Sequence, residues 1–109
     1  MTVHQLITTL SLTPLALPDG DREVEGVYMG DLLSWVMGRA QADNAWVTIM
    51  SNLNIVAVAT LADVACVILA EGVTLDDTVV STAAAKGVNI LTTDMTAYET
   101  AKRLAELDL

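Results

Sequence analysis

The sequence predicts an α/β fold: a compact, mostly parallel sheet of about four to five strands with helices packed on it. Two observations carry this. Between Ala45 and Asp94 the chain alternates short apolar runs with segments of helical spacing, separated by polar or glycine breaks. Within that stretch, Ala65 to Ala70 is apolar without interruption, the pattern of a strand covered on both faces.

In chain order, Thr2 and Gln5 can form a capping box ahead of a helix whose Val3, Leu6, Ile7 and Leu10 share one face. Thr13 to Leu17 is a brief extended segment, with Pro14 suited to a strand start or an edge. Pro18-Asp19-Gly20-Asp21 is a turn by composition. A second strand is expected from Val24 to Met29, with Gly26 as a candidate bulge. Asp31 is placed to cap a helix carrying Leu32, Leu33, Val36 and Met37, and Gly38 to end it in a left-handed turn. Trp35 and Trp46 are assigned to packing, with a contact surface as the alternative, since aromatic side chains are enriched at interfaces.

Gln41 to Asn44 links to a strand over Ala45–Met50. Asn52 to Val64 fits two patterns. Ile55, Val56 and Val58 suit a strand, whereas Val58, Leu61, Ala62 and Ala65 fit helical spacing. A helix is preferred, because parallel strands need a crossover of about a dozen residues. Such a helix is apolar almost all round, so its second side calls for cover by another copy of the protein. After the Glu71-Gly72 break, Thr74 and Asp77 are expected to cap a helix burying Val79, Val80, Ala83 and Ala84. Lys86 suits its last turn and Gly87 its end. Val88 to Leu91 is the last strand. Thr96 and Glu99 then frame a final helix lined by Ala97, Ala101, Leu104 and Leu107.

At 109 residues, 53% of them apolar, the chain is expected to form a single domain, residues 1–109, with a core that needs no disulfide or metal. Five basic residues against 14 acidic ones give a net charge of −9, which argues against nucleic acid and against anionic lipid. Cys66 is the only cysteine and sits in an apolar strand, so it reads as a small hydrophobe. His4, the only histidine, reads as a surface residue. The longest apolar run, Ile55 to Ala70, contains Thr60 and Asp63 and is shorter than the ~18–20 residues of a membrane span. No secretory leader pattern is present, and a cytoplasmic protein is expected.

Ligands of parallel sheets bind beyond the carboxyl ends of the strands. Three loops lie there: Ser51-Asn52-Leu53-Asn54, Glu71-Gly72-Val73-Thr74 and Thr92-Thr93-Asp94. Candidate ligand-binding residues are therefore Ser51, Asn52, Asn54, Glu71, Gly72, Thr92, Thr93 and Asp94, although helix capping alone accounts for the same residue types. Phosphate-loop and dinucleotide-loop patterns are absent, and His4 is far in sequence from any nucleophile. Asp76 and Asp77 are adjacent on a helix and point apart, while Asp63 is expected to pair with Lys86 or with a basic group on a neighbour. No enzyme, cofactor or metal site is expected.

The segment ACVILAEGVTLDDTVVSTAAAKGVNILTTDMTAYETAKRL resembles the second half of a DRTGG domain: a strand, a glycine break, a helix ending in K-G, and a strand ending in T-T. GVYMGDLLSWVMGRA and WVTIMSNLNIVAVATLADV resemble the small stand-alone members, so the likeness runs over nearly the whole chain. Two departures stand out. Ser51-Asn52-Leu53-Asn54 replaces the frequent G-D-R, and Ala70-Glu71-Gly72 replaces T-G-G. The resemblance implies a non-catalytic regulatory or dimerisation module, similar to the N-terminal domain of HPr kinase. Related domains accompany nucleotide-sensing CBS domains in some pyrophosphatases, and stand-alone members are encoded near iron-hydrogenase-like proteins. The implied partners are a second copy, a protein, and as an alternative a small nucleotide bound at the loops.

Overall fold

The alternation from Ala45 to Asp94 folds as strand, helix, strand, helix, strand. In the computed structural model, which describes residues 1–109, the elements follow as α1 (Val3–Leu10), β1 (Thr13–Ala16), β2 (Val27–Met29), α2 (Leu33–Arg39), β3 (Ala45–Thr48), α3 (Asn54–Ala62), β4 (Cys66–Leu69), α4 (Asp77–Ala85), β5 (Ile90–Thr92) and α5 (Ala97–Ala105). The sheet order is β1-β5-β4-β3-β2. β2, β3, β4 and β5 are parallel, and β1 runs antiparallel to β5.

The chain steps from β2 to β5 in one direction across the sheet, and right-handed crossovers then put α2, α3 and α4 on one face. Val36, Trp46, Ile55, Val67, Leu69 and Ile90 meet in the core of that face. Helices α1 and α5 cover the other, where Val3, Leu6, Val47, Ile68, Leu91 and Leu104 pack together. Every residue of β3 and β4 is buried, as the uninterrupted apolar runs imply. Asn52–Val64 does become a helix. It buries Ile55, Val56, Val58 and Ala59 and leaves Leu61 74% exposed.

Several local expectations hold and others are corrected. The Thr2–Gln5 capping box forms, with both reciprocal bonds. Gly87, at φ +74°, closes α4. Asp31 does not cap α2. Its Oδ1 instead accepts hydrogen bonds from Thr48 Oγ1 at 2.8 Å and from the Ile49 amide at 3.0 Å, which turns the chain out of β3 before Met50. Gly38 does not stop α2, which runs on to Arg39 and ends in extended backbone at Ala40. Trp35 is 52% exposed rather than packed, because Val36, with Leu33 and Ala40, takes the inward stripe. The Arg39 guanidinium stacks 3.7 Å from the Trp35 ring centre. Trp46 is fully buried, and its Nε1–H donates to Gly30 O at 2.9 Å.

The second strand begins at Val27, not Val24. Gly26, at φ +82°, is a left-handed turn ahead of it and no bulge; the irregular register lies in β1, between Pro14 and Ala16. The last strand starts at Ile90. Thr74 does not cap α4; Asp76 holds the cap position, and of the expected inner face Val79 and Ala83 are buried while Val80 is half-buried and Ala84 exposed. On α5 Thr96 accepts from the Glu99 amide without the reciprocal bond of a capping box, and a distant carboxylate serves the next donor: Glu71 Oε2 accepts from the Ala97 amide at 2.8 Å. Asp63 pairs with Arg22, not Lys86. Arg22 Nη2 donates to Asp43 Oδ1 at 2.8 Å, to Asp63 Oδ1 at 2.9 Å and to Asp63 O at 2.6 Å. Burial works against the Arg22 charge, and the hydrogen bonds to Asp43 and Asp63 outweigh it, so its pKa is raised.

Candidate functional site

The carboxyl ends of β2, β3 and β4 meet the N-terminus of α5 around a cleft of about 310 Å³, lined among others by Met29, Asp31, Thr48, Ile49, Glu71 and Ala97. This is the place a parallel sheet offers a ligand. Glu71 reaches it by adopting a left-handed backbone, φ +63°, at the end of β4, which aims its carboxylate at the first turn of α5. Asp31 reaches it from the end of β2. Two carboxylates and no cation line the cleft, so it suits a hydrogen-bond donor or a cation better than a phosphate.

Of the residues expected in the three loops, the structure brings five together. The Glu71 amide donates to Met95 O at 2.8 Å and the Gly72 amide to Thr93 O at 3.0 Å. Thr92 Oγ1 donates to Val73 O at 3.2 Å, and Thr93 Oγ1 accepts from the Met95 amide at 3.2 Å. Gly72 sits at φ +69°, a left-handed backbone that favours glycine, and a Cβ there would make a tight 3.2 Å contact with Asp94 Oδ1. Ser51, Asn52 and Asn54 stand apart at the start of α3, where Asn52 Oδ1 accepts from the Asn54 amide at 2.9 Å; no hydrogen bond joins them to the other five. Only Glu71 of the eight lines the cleft. The sequence does not single out Asp31 as a site residue, because a carboxylate after a strand and before a helix fits a cap equally well, and Thr48 is the last residue of β3.

A second concavity, about 410 Å³, is an apolar groove between α3 and α4 edged by Leu53, Val56, Ala57, Leu61, Thr82 and Lys86. His4 is a surface side chain, as expected, and its ring packs on Gly20. Cys66 is fully buried, and burial, partly offset by the Arg22 charge, pushes its thiol up to about 12. The native protein should therefore resist thiol reagents at pH 8. An unfolded thiol ionises near 9.0 while the folded one keeps its proton. The Cys66 contribution is thus complete below pH 9 and is lost between about 9 and about 12, at roughly 1.4 kcal/mol per pH unit. Alkaline denaturation of Cys66→Ala should lack this component; an identical alkaline slope in both proteins would refute the assignment.

The family model for the DRTGG domain matches residues 19–107. The chain belongs to the DRTGG domain family. A search of curated proteins gave no match. Among solved structures, the chain is similar to the regulatory region of Clostridium perfringens pyrophosphatase, comprising CBS and DRTGG domains and complexed with its activator diadenosine tetraphosphate. The TM-score is 0.70 at 14% identity, over 94% of this chain and 45% of that one, so this DRTGG chain spans less than half of that structure and shares its fold.

Proposed function

We propose that this DRTGG domain is a non-catalytic regulatory or accessory module that works through homodimerisation and association with another protein. The carrying observation is where its apolar surface lies. Six of the ten exposed large apolar side chains lie in or next to three elements: Val27 and Met29 in β2, Trp35 and Met37 in α2, Leu32 just before α2 and Ile49 just after β3. Uncovered apolar surface concentrated in this way marks a protein contact. Family membership supports regulation, and the likeness to stand-alone members encoded beside iron-hydrogenase-like proteins supports a cytoplasmic redox enzyme as the partner. Light scattering on the eluting protein at micromolar concentration should give twice the 11.5 kDa chain mass. A single-chain mass would overturn the dimer.

A second reading is a nucleotide sensor. It is favoured by the cross-bonded Glu71–Gly72 and Thr92–Asp94 loops at the strand ends, and by the activator bound in the similar pyrophosphatase region. The Asp31 and Glu71 carboxylates weigh against a phosphate in the cleft. Nucleotides that leave the melting temperature unmoved would remove this reading, since a ligand selective for the native state must stabilise it.

A further inference from the structure

The two edges of the sheet are treated differently by the sequence. Edge strands usually carry a charge, a proline or a bulge that prevents pairing with another chain. β1 has such protection, with Pro14 and an irregular register between Pro14 and Ala16. β2 is short, three residues, but carries neither charge, proline nor bulge: it is Val27-Tyr28-Met29, and Val27 and Met29 are 38% and 48% exposed.

Its hydrogen-bonding groups are also free in a self-complementary pattern. The Ala45 amide donates to Gly26 O and the Gly30 amide to Val47 O, so Gly26, Tyr28 and Gly30 turn their backbone groups towards β3. Residues alternate in a ladder, which leaves the N–H and C=O of Val27 and Met29 directed outwards. We infer that β2 pairs antiparallel with β2 of a second copy, about a two-fold axis at Tyr28, to make one continuous sheet. Val27 of each copy then exchanges both backbone bonds with Met29 of the other. This inference rests on the dimer proposed above and gives it a surface.

The occupant follows from the thickness of the exposed patch. Tyr28 packs into the core of the α2–α3–α4 face, so Val27 and Met29 project on the α5 side, where Met29 lines the cleft beside Val47. Leu32 and Trp35 are exposed on the other layer, on and beside α2. A lone extended peptide would meet the strand alone. A second copy brings its own α2 alongside and has apolar side chains in both layers, as a two-fold contact requires. One unfavourable term is built in: the same register carries Glu25 towards the second copy's Asp31.

The test uses the full chain, whose only native thiol is buried. Hydrogen-bonded antiparallel pairs hold their Cα atoms about 5.5 Å apart, within disulfide reach. Val27→Cys protein mixed with Met29→Cys protein should give a covalent heterodimer on oxidation, several-fold more than either protein alone. Met29→Lys should weaken the dimer at least tenfold, Leu61→Lys on α3 should not, and Glu25→Lys should tighten it by relieving the repulsion with Asp31. Circular dichroism checks that each variant is folded. A wild-type dimer that resists Met29→Lys, gives no mixed cross-link and is split by Leu61→Lys would overturn the β2 interface and leave the dimer standing. A wild-type monomer would remove the dimer itself.

Discussion

Replacing Trp46 by alanine is expected to lower the unfolding free energy by about 3–5 kcal/mol, the range for deleting a large core aromatic. Trp46 lies in β3, between β2 and β4, with no exposed surface, and it fills the centre of the α2–α3–α4 core. Alanine would leave a cavity that Val36, Ile55 and Val67 can close only in part. It would also strip Gly30 O of the indole N–H that ties the end of β2 to β3. Domains of this size are stable by roughly 5–15 kcal/mol, so the variant would sit close to its unfolding threshold. Trp46→Phe separates the two contributions. It keeps most of the volume and loses the donor, so a cost of about 1–3 kcal/mol is expected. Urea titration followed by far-ultraviolet circular dichroism measures both. A Trp46→Ala loss below about 1 kcal/mol would mean that the ring is not a core element.

The contrast between the two tryptophans shows what the sequence can disclose. Both stand in apolar surroundings in the chain. Trp46 lies in a strand whose neighbours Ala45 and Val47 also point into apolar layers, and the uninterrupted pattern already implies cover on both faces. Trp35 lies one position before Val36 on a short helix, about 100° from the buried stripe, and only the packing of that helix decides which side is inward. Caps and turns were legible where the partners are close in sequence, as with Thr2 and Gln5 or Gly87 after α4. They were not legible where a distant group intervenes. Asp31 serves Thr48 and Ile49, and Glu71 serves the start of α5. Arg22 joins Asp43 and Asp63, both in left-handed turns, and no local pattern brings those three together.

The same limit shaped the candidate site. The loops after β3, β4 and β5 share one end of the sheet, where a parallel sheet binds its ligands, and those after β4 and β5 lie side by side because those two strands are neighbours. Their residues do meet, from Glu71 and Gly72 to Thr92, Thr93 and Asp94. The loop after β3 lies at the same end of the sheet, yet Ser51, Asn52 and Asn54 are drawn off to start α3. The cleft that did form depends on β2 lying outside β3 with no helix over its α5 side. That follows from strand order and helix placement, which emerge only from the folded chain.

Asn89 carries the second large effect, and its most informative replacement is the closest in shape. The side chain is buried just before β5. Its Oδ1 accepts from the Asp19 amide at 2.9 Å, and its Nδ2 donates to Asp19 O at 2.7 Å and to Ala65 O at 3.0 Å. One amide thus joins the Pro18–Asp21 turn to the entry of β4, using a donor and an acceptor that alanine and aspartate cannot both supply. Asn89→Ala should cost about 1–3 kcal/mol from the groups left unpaired. Asn89→Asp should cost more at neutral pH, about 3–5 kcal/mol, because it presents a buried carboxylate to two carbonyl oxygens. Its folded pKa would lie above the unfolded value, so the folded state holds the proton longer. Stability of Asn89→Asp relative to the wild type should therefore fall as pH rises from the unfolded carboxyl range towards neutrality. Urea titrations at pH 5 and pH 7.5 read this directly: the Asp variant should be the weaker of the two at pH 7.5 and should recover towards the Ala variant at pH 5. If aspartate were tolerated better than alanine at pH 7.5, the two donated bonds would not be what holds the turn to β4.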